Sequence, residues 1–151
     1  MKWRFVEPQD YEWAIAASKE HHKESDWSEV EYNDVKAKRY FDVAITDPNY
    51  FAILIETGNK RIGFMAGRIM EYSYSYETFA KELELYVDPK HRNGMAGIFM
   101  MKKFMDWAKM RGVREVIFEP RLSDVAIKKF DAMAKRLGME HFANAYRRRF
   151  V

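Results

Sequence analysis

The amino-acid sequence predicts a mixed α/β (α+β) fold: a single domain over residues 1–151, with a central, largely antiparallel mixed sheet and helices on both faces. Three observations carry this reading. Two strand-like runs, Phe51 to Glu56 and Arg61 to Met70, flank Thr57-Gly58-Asn59-Lys60, a compact hairpin signal. In the second half, strand-like and helix-like segments alternate, and each of the two helical patterns there is closed by a glycine, Gly112 or Gly138. The length of 151 residues suits one core, and an apolar fraction of 48% with eleven Phe, nine Tyr, four Trp and ten Met can fill it.

The elements follow in order. Trp3 to Val6 reads as a first strand, after which Pro8 and Asp10 open a helix running to about His22. A second helix is expected from Ser28 to Ile45, with Val30, Val35, Tyr40 and Phe41 on one stripe and Asp47-Pro48 ending it. The hairpin comes next, then Glu71 to Thr78 (EYSYSYET) as a polar aromatic loop or strand extension. Phe79 to Val87 is the fourth strand, Leu83, Leu85 and Val87 alternating against Glu82, Glu84 and Tyr86. A helix from Gly94 to Met110 places Ile98, Met101, Met105 and Ala108 at three- and four-residue steps. Val113 to Glu119 is a strand stopped by Pro120, and Ser123 to Leu137 is a helix with Ala126, Phe130, Met133 and Leu137 on one face. Met139 to Phe142 and Tyr146 to Val151 read as one or two final strands.

Composition excludes some chemistry. With no cysteine there are no disulfides, thiolate metal sites or cysteine nucleophile. The longest apolar runs, such as Phe51 to Ile55, are too short for a bilayer, and the N-terminus lacks a signal-peptide stretch. A soluble cytoplasmic protein without membrane association is the expectation. His21-His22 with Glu24 and Asp26 matches metal-ligand chemistry only loosely, so no metal is assigned. The net charge is a modest +3, and its one cluster, Arg147-Arg148-Arg149, reads as a solvated strand end or as a phosphate contact on a nucleotide cofactor or nucleic acid.

The segment from Val87 to Gly97, VDPKHRNGMAG, carries more information. A strand that ends at Val87, turns at Pro89 and enters a helix leaves unpaired amide N–H groups at the helix start, and with the helix dipole these form an anion site. Bare backbone at Gly94 and Gly97, with only a methyl at Ala96, would let a pyrophosphate approach, and Arg92 adds positive charge. The plainer alternative is that Gly94 satisfies a turn and Gly97 allows close helix packing. Neither the dinucleotide fingerprint G-x-G-x-x-G nor the P-loop string occurs here.

At these residues the chain resembles the GNAT superfamily of N-acetyltransferases, whose hallmark is a strand ending in V-x-P, then an arginine or glutamine and a glycine-rich turn into a helix. The register fits with His91 in the arginine slot or, better, as the shorter variant R-x-G-x-A-G from Arg92 to Gly97. Glu119-Pro120-Arg121-Leu122-Ser123-Asp124 resembles the family's E-V-R-x-S-N segment, and Leu137-Gly138-Met139 its L-G-F.

The resemblance implies a fold with splayed fourth and fifth strands, acetyl-CoA as acyl donor, and direct attack by an amine-bearing acceptor. It implies a cofactor site of Leu85, Tyr86, Val87, Arg92, Asn93, Gly94, Met95, Ala96 and Gly97. Candidate bases are Glu84 and Glu119, each raised in pKa by apolar surroundings. The tyrosine that many members carry as leaving-group acid is missing from the Ser123 to Leu137 helix, which leaves Tyr146 or Tyr86 for that role. The acceptor segments hold Trp13, Trp27, Tyr32, Tyr40 and the run Tyr72, Tyr74, Tyr76, with Glu29, Glu31, Asp34 and Glu71 to attract a cation. A non-catalytic acyl-CoA- or partner-binding module, a base-modifying relative acting on nucleic acid, and a homodimer stay open at this point.

Overall fold

The computed structural model describes residues 1–122 and 124–150. Its elements run β1 (Lys2–Phe5), a 3-10 turn (Pro8–Asp10), α1 (Tyr11–Glu24), α2 (Asp34–Ala44), β2 (Tyr50–Thr57), β3 (Lys60–Glu71), β4 (Thr78–Val87), a second 3-10 turn (Pro89–His91), α3 (Ala96–Met110), β5 (Val116–Ile117) and α4 (Asp124–Arg136). The five strands lie in sequence order in one sheet, antiparallel except for the parallel pair β4–β5.

The hairpin forms as expected, with Thr57 opposite Lys60. Every residue of Phe51 to Ile55 is buried, because the sheet is covered on both faces. Phe51, Ile53 and Ile55 pack with Met100, Phe104 and Trp107 of α3, while Ala52 and Leu54 pack with Tyr11, Ala14 and Ala17 of α1 and Phe41 of α2.

Three expectations are corrected. The second helix starts at Asp34, not Ser28, because Asn33 is its N-cap, its side chain accepting the Lys36 N–H at 2.9 Å. The fifth strand shrinks from Val113–Glu119 to Val116–Ile117, since β4 pairs with it only at Ala80–Val116 and Lys81–Ile117. Neither final strand forms among the described residues: Met139 to Phe150 pairs with no strand, and an alternating pattern without a ladder partner does not fix a strand. Ser123, expected to start the last helix, and Val151, expected to end the last strand, lie outside the described residues. Among the described residues no helix is long and apolar enough to cross a membrane.

A β-bulge decides how β4 presents its side chains. Ala66 lies opposite Glu84 and Gly67 opposite Glu82, so Leu83 is an extra residue without a partner. The alternation read from the sequence therefore breaks: Ala80 faces α3 before the bulge, Leu85 and Val87 face it after, and Tyr86 joins the α1–α2 side. Gly67 makes the bulge feasible. A Cβ there would fall 2.5 Å from Cε2 of Phe104 and 2.9 Å from the Lys81 carbonyl oxygen.

At the other end of the sheet, Asp10 is 0% exposed and accepts hydrogen bonds from Arg4 at 2.6 and 2.9 Å, from Arg61 at 2.8 and 3.0 Å, and from the Glu7 N–H at 2.9 Å. Burial alone would raise its carboxyl, but these donors hold it down at about 2. Asp10→Ala is expected to cost about 3 kcal/mol in urea unfolding, the low end for breaking a buried pair, because both arginines stay partly exposed to water. The depressed pKa makes this contribution complete above pH 4 and lost as pH falls through about 2, so the variant should lose its disadvantage only in strong acid.

Candidate active site

Where β4 runs past Lys81, β5 no longer pairs with it, and among the described residues no strand pairs with that edge of β4 as far as Val87. Two cavities border this splay. The first, of about 310 Å³, is walled by Leu85, Tyr86 and Val87, by the turn holding Arg92, Gly94 and Gly97, and by Ala126, Phe130 and Met133 of α4. The helix beyond the turn begins at Ala96, not Gly94, with Met95 at the N-cap and no side chain capping it. Its first-turn N–H groups are thus left for an outside acceptor at the positive end of the helix dipole.

The two glycines of the turn have room around them. A Cβ on Gly94 would lie 3.4 Å from the His91 carbonyl oxygen and one on Gly97 3.5 Å from the Met133 sulfur, both ordinary contacts, and neither has a positive φ. Protein packing does not demand glycine at either position; what bare backbone leaves is volume in the cavity that both line.

The other residues expected in the turn are placed unevenly. The Arg92 guanidinium donates to the Val87 carbonyl at 2.8 Å and to Glu24 at 2.7 Å, so it braces the cavity wall. Ala96 is buried in the core, and Asn93 and Met95 are exposed and outside the cavity wall. None of these three lines the cavity.

The second cavity, of about 380 Å³, lies among α1, residues 25–33, α2 and β4. Glu84 lines it, with Oε1 accepting from Ser18 Oγ at 2.8 Å. Burial pushes the Glu84 carboxyl up to about 7, the Ser18 bond opposing only in part. The bulge sends Glu82 elsewhere. Only 8% exposed, Glu82 lines a small crevice at the splay with Glu119 and Phe130. Burial lifts it too to about 7, against a hydrogen bond from the Glu119 backbone.

Glu119 lacks the apolar surroundings expected of it: its carboxylate is half exposed and pairs with Lys81 at 3.0 Å and Arg121 at 3.1 Å. Tyr146 is not brought to the site. It is 97% exposed on the unpaired C-terminal segment and lines no cavity described here, whereas Tyr86 lines the first cavity with its phenol raised by burial.

His21 is the residue that sequence reasoning missed. It lines both cavities and the crevice between them. Burial lowers its pKa, with Glu24 opposing and Arg92 and His22 adding to the drop, so the imidazole is neutral at pH 7. A signal for it existed: Ala14, Ala17, Ser18 and His21 form a stripe of helical period whose first three members are buried. His22 has a structural partner, its Nε2 lying 2.6 Å from the Val30 carbonyl oxygen.

Of the expected acceptor residues, Trp27, Tyr32, Tyr40 and Glu31 line the second cavity. Trp13 does not, Tyr74 and Tyr76 are fully solvated, and Tyr72 bonds Glu115 at 2.5 Å. Asp34 pairs with Lys19, and Glu29 with Arg149 at 2.8 Å. Arg147 lies 4.0 Å from Asp26, so two arginines of the C-terminal triplet strap the loop that walls this cavity.

Comparison with known structures returns the same architecture. The chain superimposes with TM-score 0.78 on a Bacillus halodurans protein at 16% identity, over 100% of both chains. A predicted acetyltransferase from Clostridium acetobutylicum, solved with acetyl-CoA, gives 0.77 at 15% identity, over 98% of this chain and 95% of that one. An aminoglycoside 6'-N-acetyltransferase from Acinetobacter haemolyticus gives 0.75 at 14%, over 100% and 99%. Comparison with curated protein sequences gives no match. The model of the Acetyltransferase (GNAT) family matches residues 8–133, which span α1 through most of α4, and the chain belongs to that family.

Proposed function

We propose that this acetyltransferase moves the acetyl group of acetyl-CoA to a primary amine, with the donor in the Gly94–Gly97 cavity and the acceptor in the Glu84 cavity. The observation that carries the reading is Glu84: a carboxyl held at about 7 inside one cavity, which meets the other at a neutral histidine.

The donor cavity fits the group. It offers first-turn amides for a pyrophosphate, volume at Gly94 and Gly97, and an unpaired β4 edge at Leu85, Tyr86 and Val87 for an amide-bearing arm. Acetyl-CoA supplies an acyl thioester whose thiolate can leave without help, since its pKa is near that of a cysteine thiol, ~8.5. The protein's part is positioning and proton transfer. Glu84 as carboxylate takes the amine proton, directly or through one water. His21, with one N–H and one lone pair, can accept a proton on the acceptor side and release one on the donor side. Backbone N–H groups of the β4 edge polarise the acyl oxygen.

The test is thiol release from acetyl-CoA against a panel of primary amines, with the acetylated product identified by mass. Turnover is expected with at least one amine, and Tyr146→Phe is expected to stay within about twofold of wild type, the range of a residue outside the chemistry. Acetyl-CoA that stabilises the protein without any amine-dependent thiol release would favour a binding module. A loss of ~10²-fold in Tyr146→Phe would restore that phenol to the site.

A further inference from the structure

The wall of the acceptor cavity has a definite chemical character. Trp27, Tyr32, Tyr40 and Phe41 contribute ring surface, and Val30 and Leu83 add aliphatic surface. Its charged lining is two carboxylates, Glu31 and Glu84, against two cations, Lys36 and Arg121. Of the carboxylates only Glu84 is lodged between β4 and α1, where Ser18 holds it; Glu31 is exposed. Arg121 lies with its guanidinium carbon 4.2 Å from the centre of the Trp27 ring and is bonded to Glu119 at 3.1 Å, so a guanidinium already matched by a carboxylate stands beside the aromatic wall.

A polycationic acceptor would be poorly matched here. Each ammonium group taken from water needs a carboxylate or a set of acceptors in return; with Arg121 already paired to Glu119, the lining offers the interior Glu84 and the exposed Glu31 against Lys36, so no carboxylate is left over for a second or third ammonium. One amine, delivered to one interior carboxylate, is what the residues match. The remainder of the acceptor must cover aromatic surface, which rewards an apolar or aromatic body.

We propose that the acceptor is a single primary amine carried on an aromatic or otherwise apolar body, of the arylalkylamine kind, and not a polyamine or amino sugar. The proposal rests on the reading of the Glu84 cavity as the acceptor site. It departs from the aminoglycoside acetyltransferases among the structural neighbours, whose 14% to 17% identity carries the fold and not the lining of this cavity.

Binding of two conjugates tests it without depending on turnover. In one, the coenzyme A sulfur is joined through an acetyl linker to phenethylamine; in the other, through the same linker to neamine, an amino sugar. Their dissociation constants are compared by calorimetry with that of coenzyme A alone. The phenethyl conjugate is expected to bind at least ~30-fold more tightly than coenzyme A and the neamine conjugate within about threefold of it, since buried ring surface contributes where added ammonium groups do not. Trp27→Ala, a change at a half-exposed loop residue, should reduce the phenethyl advantage by about fivefold or more, leaving coenzyme A affinity unchanged. A neamine conjugate that binds as tightly as the phenethyl one, or more so, overturns the proposal, as does a phenethyl conjugate no better than coenzyme A. Coenzyme A that fails to bind at all removes the donor site first and this inference with it, a result distinct from either.

Discussion

Glu84→Gln is expected to lower turnover by ~10²-fold or more at pH 7 and to leave acetyl-CoA affinity nearly unchanged, the signature of a lost general base. The amide keeps the size of the side chain and can still accept from Ser18, so the cavity wall survives and only proton acceptance is removed. In wild type, activity should rise with pH through about 7 as the buried carboxyl ionises. The variant should lose that limb and recover in part only toward the pKa of the free amine, ~10, where no acceptor is needed.

Stability gives an independent reading of the same group. Its folded pKa lies above the unfolded value of 4.5, so the folded state holds its proton longer, and the contribution to stability, complete below pH 4.5, is lost as pH rises through about 7. Glu84→Gln should therefore melt higher than wild type at pH 8 and about equally at pH 4.5. Glu82→Gln is the matched control, since its carboxyl is lifted to the same range by burial but faces the crevice and not the acceptor cavity. It should show the same gain at pH 8 with turnover within a few-fold of wild type. If Glu84→Gln keeps both its turnover and the wild-type pH profile, the carboxylate is not the base.

How far the sequence reveals these features depends on whether the cause is local. The hairpin, the glycine stops at Gly112 and Gly138 with φ of +71° and +73°, and the turn into α3 are all specified by neighbours within a few residues, and all were legible. The Asn33 cap is equally local, an Asn followed by Asp-Val-Lys, but the apolar stripe that starts at Val30 extends past it and masks it. The bulge at Leu83 is of a different kind. It depends on Gly67 of β3 and on Phe104 of α3 filling the space beside it, partners far from β4 in sequence. Without the bulge, Glu82 and Glu84 share a face; with it, one becomes a cavity carboxyl and the other a crevice carboxyl. The exposed position of Tyr146 has a related cause, since a strand needs a ladder partner and the last segment is instead drawn to Asp26 and Glu29 by Arg147 and Arg149.

Gly94→Asp should abolish the rise in melting temperature that acetyl-CoA gives the wild-type protein, with little change in the melting temperature of the protein alone. Two structural facts separate these effects. A Cβ at residue 94 would meet nothing closer than 3.4 Å, and the position requires no positive φ, so the folded backbone can accept a non-glycine residue, and the loss of glycine freedom in the unfolded chain favours folding by a few tenths of a kcal/mol. The same side chain projects at a cavity-lining position just before the start of α3, where its carboxylate would occupy the volume and present the charge that a pyrophosphate needs to be absent. At a ligand concentration a hundredfold above the dissociation constant, wild type should gain about 2.7 kcal/mol of stability, several degrees for a domain of this length, and the variant almost none. Gly94→Ala grades the result: it adds bulk without charge, so it should retain part of the gain, and the difference between Ala and Asp reports the electrostatic share. A wild-type melting curve unmoved by millimolar acetyl-CoA would remove the donor site from this turn. An Asp variant that gains as much as wild type would move the pyrophosphate elsewhere along the cavity, toward Lys129 on α4.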